Sequence, residues 1–169
     1  MMALLSFFVS APAWNLFLLF VLPIAISTII TVLTKSLIVI KFVILLDFYI
    51  VLLWEYSVCT LIYEKYSSYI NVPILWFKIS IGYTAIYVIF FSLFFEIIPS
   101  DYLEPLHMVS FACNIYCLYF LSKLLVMVEK KSKAKFSEYF GTLISAWILI
   151  IGIWNIQPRI NRIFLIKDE

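Results

Sequence analysis

The chain has 169 residues, of which 65% are apolar and 13% are charged, and its mean hydropathy is +1.09. Soluble domains are nearer half apolar and a quarter charged, and so short a chain has too little interior to bury this much apolar surface. The net charge of +2, without a long basic or acidic block, argues against nucleic-acid binding. The composition therefore excludes a soluble domain and predicts a protein whose main partner is the lipid bilayer.

Several apolar segments are long enough to cross a membrane, which takes about 20 largely apolar residues. Five segments meet this length, at 14–34, 37–56, 75–98, 105–128 and 139–157. The connections between them are too short to hold a soluble domain. We therefore expect a single all-α domain over residues 1–169, a polytopic bundle of four to five transmembrane helices in the inner membrane.

The first connections carry interfacial features. Residues 1–13 contain an APA motif but no basic region before it, so we expect them to be retained as a lead-in to the first spanning helix. A tight turn at Lys35 joins the first two segments. The tyrosine-rich stretch EYSVCTLIYEKYSSYI, residues 55–70, predicts an amphipathic helix on the headgroups. Tryptophans near segment ends predict an aromatic belt, with Trp14, Trp54, Trp76 and Trp154 as its members.

Two charged residues interrupt the second segment, and they differ in how easily each can reach water. Lys41 lies near the turn, so its long side chain can extend to the headgroups. Asp47 lies near the centre, where a charged carboxylate costs about 3 kcal/mol and is too short to escape. Six residues place the two about 120° and 9 Å apart, so they do not pair within the helix. We expect Asp47 to face the bundle interior, a wet cavity or a cation, and rank it above Lys41 as a functional residue.

Charged loops predict the orientation. The loop at 129–138 carries Lys130, Lys131, Lys133 and Lys135, whereas EIIPSDYLEPLH at 96–107 has three acids and no lysine or arginine. The positive-inside rule places the lysine loop in the cytoplasm. Five crossings would then place the C-terminus, with Arg159 and Arg162, outside. A four-crossing alternative, in which segment 37–56 does not span, would bring Lys35 and Lys41 inside.

The last segment predicts contacts with other chains. Gly141 and Ser145 form a small-xxx-small face that allows close helix approach, so we expect a homo-oligomer. Polar residues cluster at the end of this segment, among them Gln157, Arg159 and Arg162. They predict either an anchoring collar at the headgroups or a docking site for an acidic partner, which the lysine loop would share.

No catalytic pattern is present. The sequence has no HExxH, no GxSxG and no glycine-rich phosphate loop, and a single histidine, His107, argues against a catalytic metal. We expect no cofactor and no enzymatic activity. Two functions are favoured: a component that assembles with itself and with a soluble cytoplasmic protein, or a small ion-conducting pore lined by Asp47. A membrane enzyme or transporter ranks third, because polar groups are few and scattered.

The size, the helix plan and the closing string GIWNIQPRIN resemble the small membrane subunit of the bacterial Kiwa anti-phage systems. This resemblance implies an inner-membrane protein that acts with a soluble cytoplasmic partner in antiviral defence. A bacteriocin-immunity or superinfection-exclusion protein has a similar outline. The resemblance extends over the whole chain but includes no diagnostic motif.

Overall fold

The computed structural model describes residues 2–34, 37–68, 70, 72–94 and 97–165, and within these ranges the chain forms α-helices and no strand. The predicted all-α fold is confirmed. The predicted turn at Lys35 lies outside the described residues, as do Glu96 and Lys167. In chain order the helices are α1 (Met2–Ser10), α2 (Ala13–Thr34), α3 (Leu37–Tyr66), α4 (Ile74–Phe94), α5 (Ser100–Lys130), α6 (Phe136–Trp147) and α7 (Leu149–Leu165).

Within the described ranges, four helices are long and apolar enough to cross a membrane: α2, α3, α4 and α5. Neighbours in sequence pack side by side, α2 against α3 and α4 against α5, and α3 also contacts both α4 and α5. The rings of Phe77 on α4 and Phe120 on α5 stack 4.9 Å apart in the core. The chain is therefore a helical membrane bundle with four spanning helices, at the lower end of the predicted range.

Helix α3 is longer than the predicted segment 37–56. It runs without a break to Tyr66, through most of the stretch predicted to lie on the headgroups. The reason is packing: Val58, Cys59 and Ile62 in this stretch are fully buried among the other helices. The tyrosine-rich stretch therefore belongs to the bundle, and the prediction of a separate interfacial helix was wrong.

The predicted fifth spanning segment, 139–157, is broken into two helices at Ile148. This residue has φ −90° and ψ 81°, outside the helical region, and α6 before it has only 12 residues. A helix of that length is about 18 Å long, well short of a hydrocarbon core of about 30 Å. The break is tight, because a Cβ on Gly152 would lie 2.5 Å from the carbonyl oxygen of Ser145. Only glycine lets the start of α7 approach the end of α6 this closely.

Helix α7 returns alongside α6, as the side chains that join them show. Asn155 donates to the hydroxyl of Ser145 at 2.9 Å, and farther along Arg159 donates to the hydroxyl of Thr142 at 2.8 Å. Arg159 also forms an ion pair with Glu129, next to the end of α5. Helices α6 and α7 therefore form a re-entrant hairpin, which enters the bundle from the end of α5 and leaves at the same end.

We call the end of the bundle that carries the loop 131–135 the lysine end, and the end where α5 begins the acidic end. Both termini of the described chain lie toward the lysine end. The side-chain amide of Asn161 donates to the carbonyl of Ala11, at the start of α2, at 3.2 Å. Lys65 and Tyr66, at the end of α3, donate to the carbonyl of Ile163 at 3.3 and 3.0 Å, and so satisfy a helix-end acceptor.

This arrangement corrects both predicted topologies. The five-crossing count placed Arg159 and Arg162 at the opposite end from the lysine loop, whereas the return of α7 places them at the lysine end. The four-crossing alternative removed segment 37–56, but α3, which contains that segment, is long and apolar enough to cross a membrane, whereas α6 and α7 are each shorter than the 18 residues of a candidate span. Residues 139–157 are as apolar as a spanning helix, so hydropathy predicted one continuous segment. Hydropathy does not detect the backbone break at Ile148.

Candidate functional site

Asp47 lies inside the bundle, on the face of α3 that points toward the other helices. Its residue surface is 8% exposed, so the predicted inward orientation is confirmed. Among the described residues, its Oδ1 atom is buried and has no hydrogen-bond partner. A buried polar atom without a partner is uncommon in folded proteins, because the lost hydration costs free energy. Water, a proton or a cation can therefore satisfy this carboxyl group, since no described side chain does.

Glu55 is a second buried carboxyl group on the same helix, and the sequence analysis missed it. It is 1% exposed, and its Oε2 atom also has no partner in the described part of the chain. Eight residues separate it from Asp47, which places the two about 80° apart around α3 and about 12 Å apart along it. Sequence reasoning assigned Glu55 to a headgroup link, although the spacing of eight could have revealed that both acids share a helix face.

Both acids line one cavity of about 280 Å³ within the bundle. Its walls come from four helices: Ile24 of α2, Ile44, Phe48 and Val51 of α3, Asn114 and Leu118 of α5, and Ala146 and Trp147 of α6. The tip of the re-entrant hairpin thus forms part of the wall. The hydroxyls of Thr31 and Thr60 are also buried and have no hydrogen-bond partner among the residues that the structure describes, but they do not line this cavity.

We call this space the acidic cavity, because two carboxyl groups line it inside an otherwise apolar bundle. It has room for several water molecules, since one needs only about 10–15 Å³ of accessible space. Among the described residues, no lysine, arginine or histidine lines it to neutralise the acids. A carboxyl group in such a place must carry a proton or hold a cation from outside the protein, because an isolated charge in the membrane is too costly. The acidic cavity is therefore suited to bind protons or other cations.

Lys41 does not belong to the acidic cavity. Its side chain is exposed on the outer surface of α3, one and two-thirds turns from Asp47, and it is absent from the cavity lining. The structure therefore separates the two charges that the sequence analysis compared, with Asp47 inside and Lys41 outside.

Gln157 does not lie where a partner could dock, which corrects its assignment. It is fully buried, and its side-chain oxygen accepts a hydrogen bond from the indole of Trp54 at 3.0 Å. Its amide nitrogen lies 2.9 Å from the carbonyl oxygen of Phe8 and 3.0 Å from that of Ala11. Gln157 therefore joins α7 to α3 and to the connection between α1 and α2. Trp54, predicted to lie in an aromatic belt, is 1% exposed and belongs to this internal junction.

The two arginines of the last helix have different surroundings. Arg159 is half-buried and holds Glu129 with two nitrogens, one of them Nε at 2.7 Å from Oε1, so it fixes the hairpin to α5. This engagement removes it from the predicted docking set. Arg162 is exposed and stays in that set.

The four lysines of the loop lie at the surface, and one of them has a structural partner. Lys130 pairs with Glu138, whose other carboxylate oxygen accepts from the backbone amide of Lys135 at 2.7 Å. The hydrogen bond from Lys130, followed by that from the Lys135 amide, lowers the pKa of Glu138. Lys131, Lys133 and Lys135 are exposed at the lysine end.

Gly141 and Ser145 lie on α6, but only one of them faces outward. Gly141 is exposed, and a Cβ placed there would meet no atom within 4 Å. Ser145 instead packs against α7 through Asn155. The close helix approach that small residues permit occurs within the chain, at Gly152. Self-association through the Gly141 face stays a prediction.

Among the described residues, no group of three or more histidine, cysteine or acidic side chains could hold a metal ion. His107 contacts the hydroxyl of Tyr87 through Nδ1 at 3.0 Å. The three cysteines, Cys59, Cys113 and Cys117, are free thiols in or beside the core.

Comparison with known proteins gave no match: no family model, no curated protein and no solved structure is significantly similar to this chain. The resemblance to the small Kiwa membrane subunit therefore stays a prediction. We therefore infer the function from the acidic cavity and from the charged residues at the two ends of the bundle.

Proposed function

We propose that this protein is a small non-enzymatic inner-membrane protein that binds a cation, the proton included, in the acidic cavity and acts as a channel or exchanger for it. The observation that carries the proposal is a pair of carboxyl groups, Asp47 and Glu55, that line one cavity inside a membrane bundle and each have one buried oxygen without a hydrogen-bond partner among the described residues. Ionisable groups at such depth are costly and are typical of ion and proton pathways.

The two acids lie at different depths, which suits stepwise transfer. Glu55 is about 12 Å nearer the lysine end than Asp47, and water in the cavity can carry a proton between them. Val58 and Ile62 continue α3 beyond Glu55 and are fully buried. Because the helix is tightly packed in that direction, we expect passage to be gated and not permanently open.

The orientation follows from the distribution of basic residues over the described chain. Nine basic residues of the described chain lie at the lysine end or in the half of the bundle nearer to it: Lys65, Lys78, Lys123, Lys130, Lys131, Lys133, Lys135, Arg159 and Arg162. Among the described residues only Lys41 lies toward the acidic end. The re-entrant hairpin therefore strengthens the charge bias that the five-crossing count had weakened. By the positive-inside rule, the lysine end faces the cytoplasm.

The test is cation flux in proteoliposomes, measured for protons, sodium and potassium separately. The wild-type protein should dissipate at least one of these gradients. Glu55→Gln and Asp47→Asn each remove a contact between a carboxylate and the bound cation. Such a contact is worth about 1.5–3 kcal/mol, so each variant should slow that flux by about tenfold or more. Ser92→Ala, an exposed residue of α4 bonded only to its own helix, is the matched control. A folded wild-type protein that moves none of the three ions would overturn the proposal.

A second candidate function is assembly with a soluble cytoplasmic protein, as a component of antiviral defence. The observation that favours it is the exposed basic surface at the lysine end, formed by Lys131, Lys133, Lys135 and Arg162. Purification in mild detergent should then recover an acidic partner, and Lys131→Glu with Lys133→Glu should release it. Phage plating efficiency on cells with and without the chain tests the defence role, and it should be lower on cells that express the chain. Equal plating efficiency would contradict a role in defence.

A further inference from the structure

We propose that the acidic cavity takes up an organic ammonium ion that enters sideways from the bilayer, an inference that rests on the cation-binding function proposed above. It adds the chemical class of the ligand and its route.

The cavity opens toward the surface of the bundle that faces lipid. Three of its lining residues are large, apolar and well exposed: Ile24 at 39%, Ile44 at 53% and Trp147 at 51%. They come from α2, α3 and α6, and Ile24 and Ile44 belong to spanning helices. A ligand dissolved in the bilayer therefore meets this opening directly, whereas an ion from water must cross part of the bundle.

The lining suits a cation with an apolar body. Asp47 and Glu55 supply negative charge, while Phe48 and Trp147 supply aromatic faces that attract ammonium groups. The remaining lining is aliphatic apart from Asn114. A volume of 280 Å³ lies just below the usual range for small-molecule pockets, about 300–1,000 Å³, so the ligand is small.

A lipid headgroup fits this lining less well than a free organic cation. Phosphatidylethanolamine carries an ammonium group, but its phosphate would enter with it. Within the described part of the chain the cavity lining holds no basic side chain to neutralise that phosphate, and both acids would repel it. The lining therefore favours an ammonium ion without an attached anion.

The experiment measures the binding of phenyltrimethylammonium to the full chain in phosphatidylcholine nanodiscs. tert-Butylbenzene, its neutral isostere, is the matched competitor. We expect saturable binding of the cation that the neutral compound does not displace. Displacement by tert-butylbenzene at equal concentration would mean that charge is not recognised, and would overturn the inference.

Variants measure separately what the carboxyl groups and the aromatic side chain of Trp147 contribute to binding. Glu55→Gln and Asp47→Asn should each weaken the binding of phenyltrimethylammonium by tenfold or more. Trp147→Ala should weaken it by about 3- to 30-fold, the range of a cation–π contact. Trp76→Ala, an exposed tryptophan on α4 outside the cavity, should leave affinity unchanged. Equal affinity in all four variants would place the cation elsewhere and overturn the inference.

Two further comparisons separate the sources of failure. If phosphatidylethanolamine in the nanodisc weakens the binding, the lipid headgroup is the occupant and the free organic cation is overturned. If phenyltrimethylammonium does not bind but inorganic cations still flow through the wild-type chain, only this inference fails. If there is neither binding nor flux, the proposed function fails with it.

Discussion

Replacing Gly152 with alanine tests the re-entrant hairpin at its tightest point. The new Cβ would lie 2.5 Å from the carbonyl oxygen of Ser145 and 3.2 Å from the Cα of Ala146, whereas ordinary contacts are 3.4–4 Å. Both neighbours are backbone atoms, so no side chain can rotate away. The start of α7 must therefore move by about 1 Å, and such overpacking costs about 1–3 kcal/mol.

The assay is thermal unfolding in nanodiscs, together with hydrogen exchange of peptides from the hairpin. For a chain of this size, each kcal/mol lowers the midpoint by about 2–4 °C, so Gly152→Ala should lower it by about 2–12 °C. Gly82→Ala and Gly141→Ala are matched controls, because a Cβ at either position meets nothing within 4 Å. Exchange should rise over 143–155 only in the Gly152 variant. A Gly152→Ala protein as stable as the two controls would refute the close approach of α6 and α7.

The remaining predictions concern topology, the internal junction and self-association. In a background without native cysteines, single cysteines placed at Ser132 and Arg162 should react with an impermeant maleimide from the same side of the membrane. A cysteine placed at Asp101 should react from the opposite side. In a five-crossing topology the cysteine at Arg162 would instead react from the same side as the one at Asp101. Gln157→Leu leaves the indole of Trp54 without its acceptor, so the free energy of unfolding should fall by about 1–3 kcal/mol. An unchanged unfolding midpoint would show that the hydrogen bonds of Gln157 do not stabilise the bundle. Gly141→Leu should reduce cross-linked oligomers in membranes, since a bulky side chain holds two helices apart; an unchanged ladder would exclude this face.

The sequence predicted the membrane class, because composition alone decides it, and it predicted the inward orientation of Asp47, because a short carboxylate at mid-helix has no route to water. It did not predict the hairpin. Hydropathy sums apolar content over a window, whereas the break at Ile148 depends on the contact between Gly152 and the backbone at Ser145.

Glu55 was missed for a related reason. Its neighbours in sequence include tyrosines and serines that are typical of an interface, and only the packing of α3 against other helices shows that they are buried. Gln157 was predicted to be exposed because polar residues at a helix end usually are. Its hydrogen bonds to Trp54 and to the carbonyls near α1 depend on contacts about 100 to 150 residues apart, which local patterns do not contain.

Asp47 and Glu55 line one cavity of the bundle, and one oxygen of each carboxyl group is buried without a hydrogen-bond partner among the described residues. The most direct measurement is modification by dicyclohexylcarbodiimide, an apolar reagent that reacts with protonated carboxyl groups shielded from water, followed by mass spectrometry of the peptides. In native membranes we expect modification at Asp47 and Glu55, and none at Glu129 or Glu138, which are ion-paired at the lysine end. Unmodified Asp47 and Glu55, or equal modification of all four residues, would contradict the account.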